Sequence, residues 1–179
     1  MLKIGTDFSG IGAPEQALKK LGIKYKSVFA CDIDKYAKQS FLANYTTDNF
    51  YDDITKRDHS KTPYCDLYVA GFPCQAFSVA GKRKGFDDTR GTLFFDLLQY
   101  IKLQRPKYFI LENVKGLLRH DKGNTLETIL KSLEALKYDI HYKVLNTKDY
   151  GIPQNRERIF IVGFKNFRDF SFPKPMELK

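Results

Sequence analysis

Three short stretches of this chain put nucleophilic, acidic and cationic side chains where a substrate could be held and attacked. The first is Gly71-Phe72-Pro73-Cys74-Gln75. A cysteine thiolate is a strong nucleophile, and a basic environment near a helix start lowers the thiol pKa enough to form it. Pro73 fixes the backbone before the thiol, and Gly71 lets a ligand approach closely. Cys31 and Cys65, in or beside apolar runs, read instead as buried structural thiols. The second stretch is Glu112-Asn113-Val114, directly after apolar Phe109-Ile110-Leu111. A carboxylate at a strand end can hold a polar substrate edge, or it can be merely solvated, with Asn113 as a cap. The third is Gln154-Asn155-Arg156-Glu157-Arg158. Arg156 and Arg158, two apart, project to one side of an extended chain and would grip a phosphate and a carbonyl oxygen; the plainer alternative is pairing with Glu157.

A fourth stretch suits a cofactor. Asp7-Phe8-Ser9-Gly10-Ile11-Gly12-Ala13 leads into Pro14, a residue favoured at an early helical position. Glycines at such a strand-to-helix turn permit positive φ and close ligand approach. In a dinucleotide fingerprint a third glycine would stand where this chain has Glu15, whose carboxylate would repel a phosphate. An adenosine ligand without phosphate fits better. Asp32, 22 residues after Gly10, ends the next apolar run, where a carboxylate accepts hydrogen bonds from ribose hydroxyls. A tight turn with a solvated loop acid is the alternative at both places.

These stretches need a scaffold that brings them to one edge, and the periodicity supplies it. Residues 2–8, 26–31, 66–72, 108–111, 140–145 and 159–164 read as buried strands rich in Val, Ile, Phe and Tyr. Residues 14–21, 36–44, 93–103 and 124–136 carry helical spacing, the third ended by Pro106. The alternation implies an α/β fold with a doubly wound, mostly parallel sheet, in which ligands sit outside the carboxyl ends of the strands. The polar stretch Gln75 to Gly91, with Lys82, Arg83, Lys84 and Arg90, is longer than a usual βα connection and so a candidate functional loop.

Composition agrees. At 179 residues the chain suits one domain, and 42% hydrophobic content with 15 Phe and 11 Tyr excludes wholesale disorder. Apolar runs of about six residues are far short of a bilayer span, and the amino terminus lacks a signal-peptide core. A soluble cytoplasmic protein without membrane contact is expected. Three widely spaced cysteines without a CxxC pattern suggest neither a disulfide framework nor a metal site. A net charge of +9 fits a polyanionic partner, nucleic acid among them.

Taken in order, DFSGIGAPEQAL, ACDIDKYA, YDDIT, GFPCQAFSVAGKRKGFDDTRGTLFFD, LENVKGLL and YGIPQNRERIFIVG resemble the DNA cytosine-5 methyltransferases over nearly the whole chain. The resemblance implies the S-adenosylmethionine-dependent methyltransferase (Rossmann-like) fold, S-adenosylmethionine as methyl donor, double-stranded DNA as partner, and no metal. It implies Cys74 as the nucleophile that adds to cytosine C6, Glu112 as the residue holding N3 and the amino group, Arg158 at the O2 carbonyl, and Arg156 helping to place that oxygen and a nearby phosphate. For the donor it implies Phe8 stacked on adenine, Ser9, Gly10, Ile11 and Gly12 in the close-approach loop, Asp32 on the ribose, Ile33 on the other adenine face, Asp53 and Ile54 at the adenine edge, and Pro73 and Leu93 lining the remainder. The stretch with Gln75, Ser78, Lys82, Arg83, Lys84 and Arg90 corresponds to the loop that closes over a flipped base and meets phosphates. The absence of a phosphate on that donor accounts for Glu15.

Ala13 stands where the family usually has glycine. Family members also continue past the QxRxR stretch into a target-recognition region and a final helix. Residues 1–166 are therefore expected to be the donor-binding catalytic core and 167–179 an exit tail, incomplete alone: a fragment, or a subunit whose partner chain supplies target recognition. A tRNA cytosine methyltransferase relative and a non-catalytic donor- or DNA-binding remnant are the alternatives. A restriction-modification or phage setting is implied by resemblance only.

Overall fold

The computed structural model describes residues 1–73 and 93–176. Cys74, Gln75, Ser78, Lys82, Arg83, Lys84 and Arg90 lie outside these residues. Seven strands, β1 (Leu2–Asp7), β2 (Tyr25–Cys31), β3 (Phe50–Tyr51), β4 (Leu67–Gly71), β5 (Tyr108–Val114), β6 (Asp139–Asn146) and β7 (Glu157–Phe164), form one sheet in the order β3-β2-β1-β4-β5-β7-β6. Pairing is parallel from β3 through β5, whereas β7 is antiparallel to both β5 and β6. This is the doubly wound, mostly parallel α/β architecture expected from the strand and helix alternation. The chain steps outward from β1 in both directions, so a crevice opens between β1 and β4 at their carboxyl ends.

The helices begin and end for local reasons. In α1 (Ala13–Lys20), Gly12 at φ 91° turns the chain and Pro14 presets the first turn. In α2 (Lys35–Asn44), the Asp34 carboxylate accepts from the Tyr36 and Ala37 amides at 2.7 and 3.0 Å, which holds its pKa below the ordinary value. Helix α3 (Leu93–Gln104) stops just before Pro106, and α4 (Asn124–Ala135) follows Gly123 at φ 93°. Sheet alternation then sorts side chains to the two faces. Thr6 points to α1 and meets Glu15, while the adjacent Asp7 points to the side where Phe29, Tyr68, Phe109 and the buried faces of α3 and α4 build the main core.

Two features were not legible as periodicity. Strand β3 is two residues long, too short to alternate. Helix α1 buries Leu18 and, unexpectedly, Glu15, while Ala17 and Leu21 face solvent. After β7 the chain runs back beside β6. Phe170 packs on His141 and Phe164, and Tyr150 donates its hydroxyl hydrogen to the Pro173 carbonyl. The Met176 amide donates to Asp149, which brings the chain back to the carboxyl edge of the sheet.

Candidate active site

The carboxyl edge carries nearly every described residue singled out above. At the end of β1, Phe8 adopts φ 54°, a left-handed conformation that costs a non-glycine residue about 1–3 kcal/mol and tends to mark functional turns. Ser9 ties the turn down, its amide and hydroxyl both donating to the Cys31 carbonyl at 3.0 and 3.1 Å. The two glycines of the turn do different work. A Cβ on Gly10, at φ 53°, would meet nothing within 4 Å, so its open side is the space a ligand would enter. A Cβ on Gly12 would lie 2.4 Å from the Tyr45 ring, so the missing side chain there serves internal packing.

Around that open space stand the remaining donor candidates. Asp32 accepts from the Gly10 amide at 2.7 Å and from the Asp34 amide at 2.9 Å, with lone pairs left for two hydroxyl donors. Ile11 and Ile33 are 65% and 80% exposed, apolar surfaces with no protein cover among the described residues. Asp53 caps a 3-10 turn, Ile54–Lys56, and the Thr55 hydroxyl and amide, at 2.7 and 2.9 Å, hold its carboxyl below the usual range. Ile54 is buried in the core, so only its backbone can face a ligand. Pro73 is exposed beyond β4, and Leu93 packs on the core at the first turn of α3. An adenosine-type group without phosphate fits this donor set: a strained aromatic, a backbone-open glycine, one ribose-class carboxylate and two exposed aliphatics. Glu15 plays no part in it. It is fully buried, its Oε1 accepts from the Thr6 hydroxyl at 3.4 Å, its Oε2 has no partner among the described residues, and burial raises its pKa.

The base-facing candidates gather on the other half of the edge. Gly71 pairs with Glu112 in the β4–β5 register, and a Cβ on Gly71 would approach Glu112 Oε2 at 3.4 Å. Buried Asn113 donates from Nδ2 to the Phe72 carbonyl at 3.0 Å, so it bridges β5 to the backbone just before Pro73 rather than acting as a cap. Because β7 runs opposite to β5, its first residues arrive at this same edge, with Arg158 opposite Val114. Arg158 Nε lies 2.9 Å from Glu112 Oε1, the side chains 23% and 27% exposed. The Glu157 carboxylate pairs with Lys115 at 2.7 Å rather than with either arginine, while the Glu157 backbone carbonyl accepts from Arg158 Nη1 at 2.9 Å. Arg156 is exposed, and its guanidinium has no partner among the described residues.

Sequence reasoning missed the group beneath the donor half. Asp7, at the end of β1, accepts a bidentate pair from Arg57 at 2.6 and 2.8 Å and a third hydrogen bond from the Tyr68 hydroxyl at 2.5 Å. The two charged side chains are 1% and 0% exposed. Arg57 sits in the polar stretch DDITKRDHSKT, which looks like a solvated loop; nothing in the pattern signals burial. The structural thiols are as expected: Cys31 and Cys65 are free and buried, and burial pushes both up to about 12. A cleft of about 470 Å³ between Tyr25–Ser27 and Asn44–Asp48 opens at the amino end of β2, away from this edge. Among the described residues no helix is long and apolar enough to cross a membrane, and no three His, Cys, Asp or Glu side chains group to hold a metal ion.

Comparison with known proteins places these residues in context. Residues 3–178 match the family described as C-5 cytosine-specific DNA methylase. The chain is 51% identical over 177 residues to the Type II methyltransferase M1.ScrFI of Lactococcus lactis subsp. cremoris, covering 96% of this chain and 45% of that protein. It is 49% identical over 166 residues to the orphan methyltransferase M.SPRI of Bacillus phage SPR, covering 92% and 38%. Among solved structures, the S. pombe Dnmt2 methyltransferase superposes with a TM-score of 0.79 at 26% identity, over 96% of this chain and 53% of that one. The chain thus spans about half the length, or less, of these relatives.

Proposed function

Because the chain belongs to the C-5 cytosine-specific DNA methylase family, we propose that it is the catalytic core of an enzyme that transfers a methyl group from S-adenosylmethionine to C5 of a cytosine flipped out of double-stranded DNA. The observation that carries this reading is the convergence of Glu112 and Arg158, 2.9 Å apart, with the backbone that leads through Pro73 to Cys74.

Cytosine C5 is a poor nucleophile, and the proposed residues change that. The Cys74 thiolate adds to C6, and the electron pair of the C5–C6 double bond is pushed into an enamine whose carbon terminus is C5. Glu112 holds N3 and the amino group and shares a proton with N3, which takes up the charge developing as the thiolate adds. Arg158 turns from Glu112 to the O2 carbonyl, so the two side chains that pair with each other in the free chain line up along the Watson–Crick edge of the base, Glu112 at N3 and the amino group and Arg158 at O2. Arg156, with no protein partner among the described residues, meets a backbone phosphate. When bound, the donor would supply a methyl group on a positively charged sulfur, which keeps the electron pair of the breaking methyl–sulfur bond and departs as a neutral thioether. After C5 has taken that methyl, its proton leaves to a base or to water, the C6–S bond breaks, and the thiolate and the aromatic ring are restored. Phe8, Gly10, Asp32, Ile33 and Asp53 frame the adenosine, and Ile11, Pro73 and Leu93 border the rest of the donor.

The near-half identity to Type II and phage methyltransferases supports DNA over RNA as substrate. A partner segment or chain supplying base-sequence recognition belongs to the same proposal. The test is tritium transfer from labelled S-adenosylmethionine to cytosine DNA and to tRNA, with and without candidate C-terminal chains. Transfer to DNA that disappears in Cys74→Ser, while the thermal transition stays in place, is the expected result. Transfer retained by Cys74→Ser removes Cys74 from the nucleophile role; transfer to tRNA alone reassigns the substrate.

A further inference from the structure

Arg57 touches the underside of the donor half from more directions than a structural ion pair requires. Its guanidinium is doubly bonded to Asp7, the residue before strained Phe8. It lies 4.9 Å from the Phe29 ring centroid on β2, 5.2 Å from Tyr51 on β3 and 5.6 Å from Tyr100 on α3. Tyr68, on β4, closes the set by sharing the Asp7 carboxylate. Each of these five elements leads into or begins at a donor candidate: Phe8 directly follows β1, Asp32 directly follows β2, Asp53 and Pro73 lie two residues past β3 and β4, and Leu93 begins α3. Arg57 itself follows the 3-10 turn that Asp53 caps, so it ties the Asp53 turn directly to the root of the Phe8–Gly12 turn.

We infer that Arg57 is a positioning residue for the donor: through Asp7 and the aromatic rings around it, it locks the Phe8–Gly12 and Asp53–Lys56 turns into one rigid frame before any ligand arrives. The inference rests on the donor reading above only for the identity of what the frame holds. A guanidinium suits the task because its planar fork bonds a carboxylate bidentately while its faces stack on aromatic rings, which a lysine ammonium cannot reproduce. Binding to a frame already ordered avoids the entropic cost of ordering two loops.

The test compares Arg57→Lys and Arg57→Met with Leu133→Ala, a core truncation in α4, at temperatures chosen to give equal distance from each melting point. Amide exchange is followed without ligand, and donor binding by calorimetric titration with S-adenosylmethionine. The amides to watch are those bonded within the two turns: Gly10 to Asp32, Gly12 to the Ser9 carbonyl, Thr55 and Lys56 to Asp53. Both Arg57 variants are expected to speed exchange at these amides at least about tenfold over the rest of the sheet and to weaken the donor about tenfold or more, with Leu133→Ala doing neither. Exchange that rises evenly across the sheet, as in Leu133→Ala, overturns the inference. Should Arg57→Met fail to fold, Arg57→Lys, which keeps the charge, decides alone. If the unaltered chain binds no donor at millimolar ligand while the two turns still loosen in the variants, the donor reading falls and the frame stands.

Discussion

The two halves of the carboxyl edge each contain an acid-arginine pair, and the pairs differ in almost every physical respect. Asp7 and Arg57 are sealed from water, doubly bonded and ringed by aromatics; Glu112 and Arg158 share a single contact of 2.9 Å, each about a quarter exposed. Removing one member of a sealed pair leaves a buried charge uncompensated, at a cost of about 3–5 kcal/mol, whereas a solvated pair contributes about 1 kcal/mol or less. The donor half is therefore built rigid, and the base half is built to be opened. On the proposed reading, a base entering between Glu112 and Arg158 would take over contacts that cost little to surrender, while the donor turns would need no rearrangement.

Three measurements break or sharpen that contrast. The largest effect is the difference between Asp7→Ala and Glu112→Gln in urea unfolding. Asp7→Ala should lower stability by about 3–5 kcal/mol and Glu112→Gln by less than about 1 kcal/mol, although Glu112→Gln should slow methyl transfer by at least about a hundredfold. Equal losses of stability would erase the distinction between the halves.

Next come the two glycines of the donor turn. Gly12→Ala must tolerate φ 91° and displace the Tyr45 ring, and is expected to cost about 2–3 kcal/mol. Gly10→Ala bears the positive φ alone, about 1 kcal/mol, and its methyl group enters the donor space, so binding should fall more than stability. Unfolding midpoints beside donor titrations would separate the two, and a Gly10→Ala chain that binds donor normally would remove that space from the site.

The smallest effect is a pH dependence. Burial raises the Glu15 pKa above 4.5, so the folded chain holds that proton more tightly than the unfolded chain. Stability from this group is therefore present at low pH and declines as pH rises from 4.5 through the folded value. Glu15→Gln should melt a few degrees higher than the unaltered chain at pH 8 and at nearly the same temperature at pH 4. Equal melting temperatures at pH 8 would mean that Glu15 carries no such strain.

The parts of this fold legible in the sequence were those governed by local patterns. Six strands and four helices announce themselves through runs of Val, Ile, Phe and Tyr, helical spacing, and the stop at Pro106. Strand β3 was missed because two residues, Phe50 and Tyr51, carry no period and are held by pairing to Ala30 and Cys31. Glu15 was placed in the ligand space from its spacing to the glycines, but in the structure it turns to Thr6, because helix geometry at the third position aims it under β1. Arg57 gave no signal at all. A charged residue among Asp, Lys, Ser and His looks solvated until Asp7, fifty positions away, supplies the partner that makes burial tolerable.

What the sequence alone determined was the inventory and its order: the alternation that makes a doubly wound sheet, the turn glycines, and the strand-end residues Asp32, Glu112 and Arg158. What only tertiary structure decided was which of them meet. Glu112 and Arg158 become neighbours because β7 enters the sheet against the direction of β5, so the first residues of one strand lie beside the last residues of the other. Strand direction is set by long-range pairing and packing, which hydrophobic period does not encode, since an apolar run reads the same for either orientation.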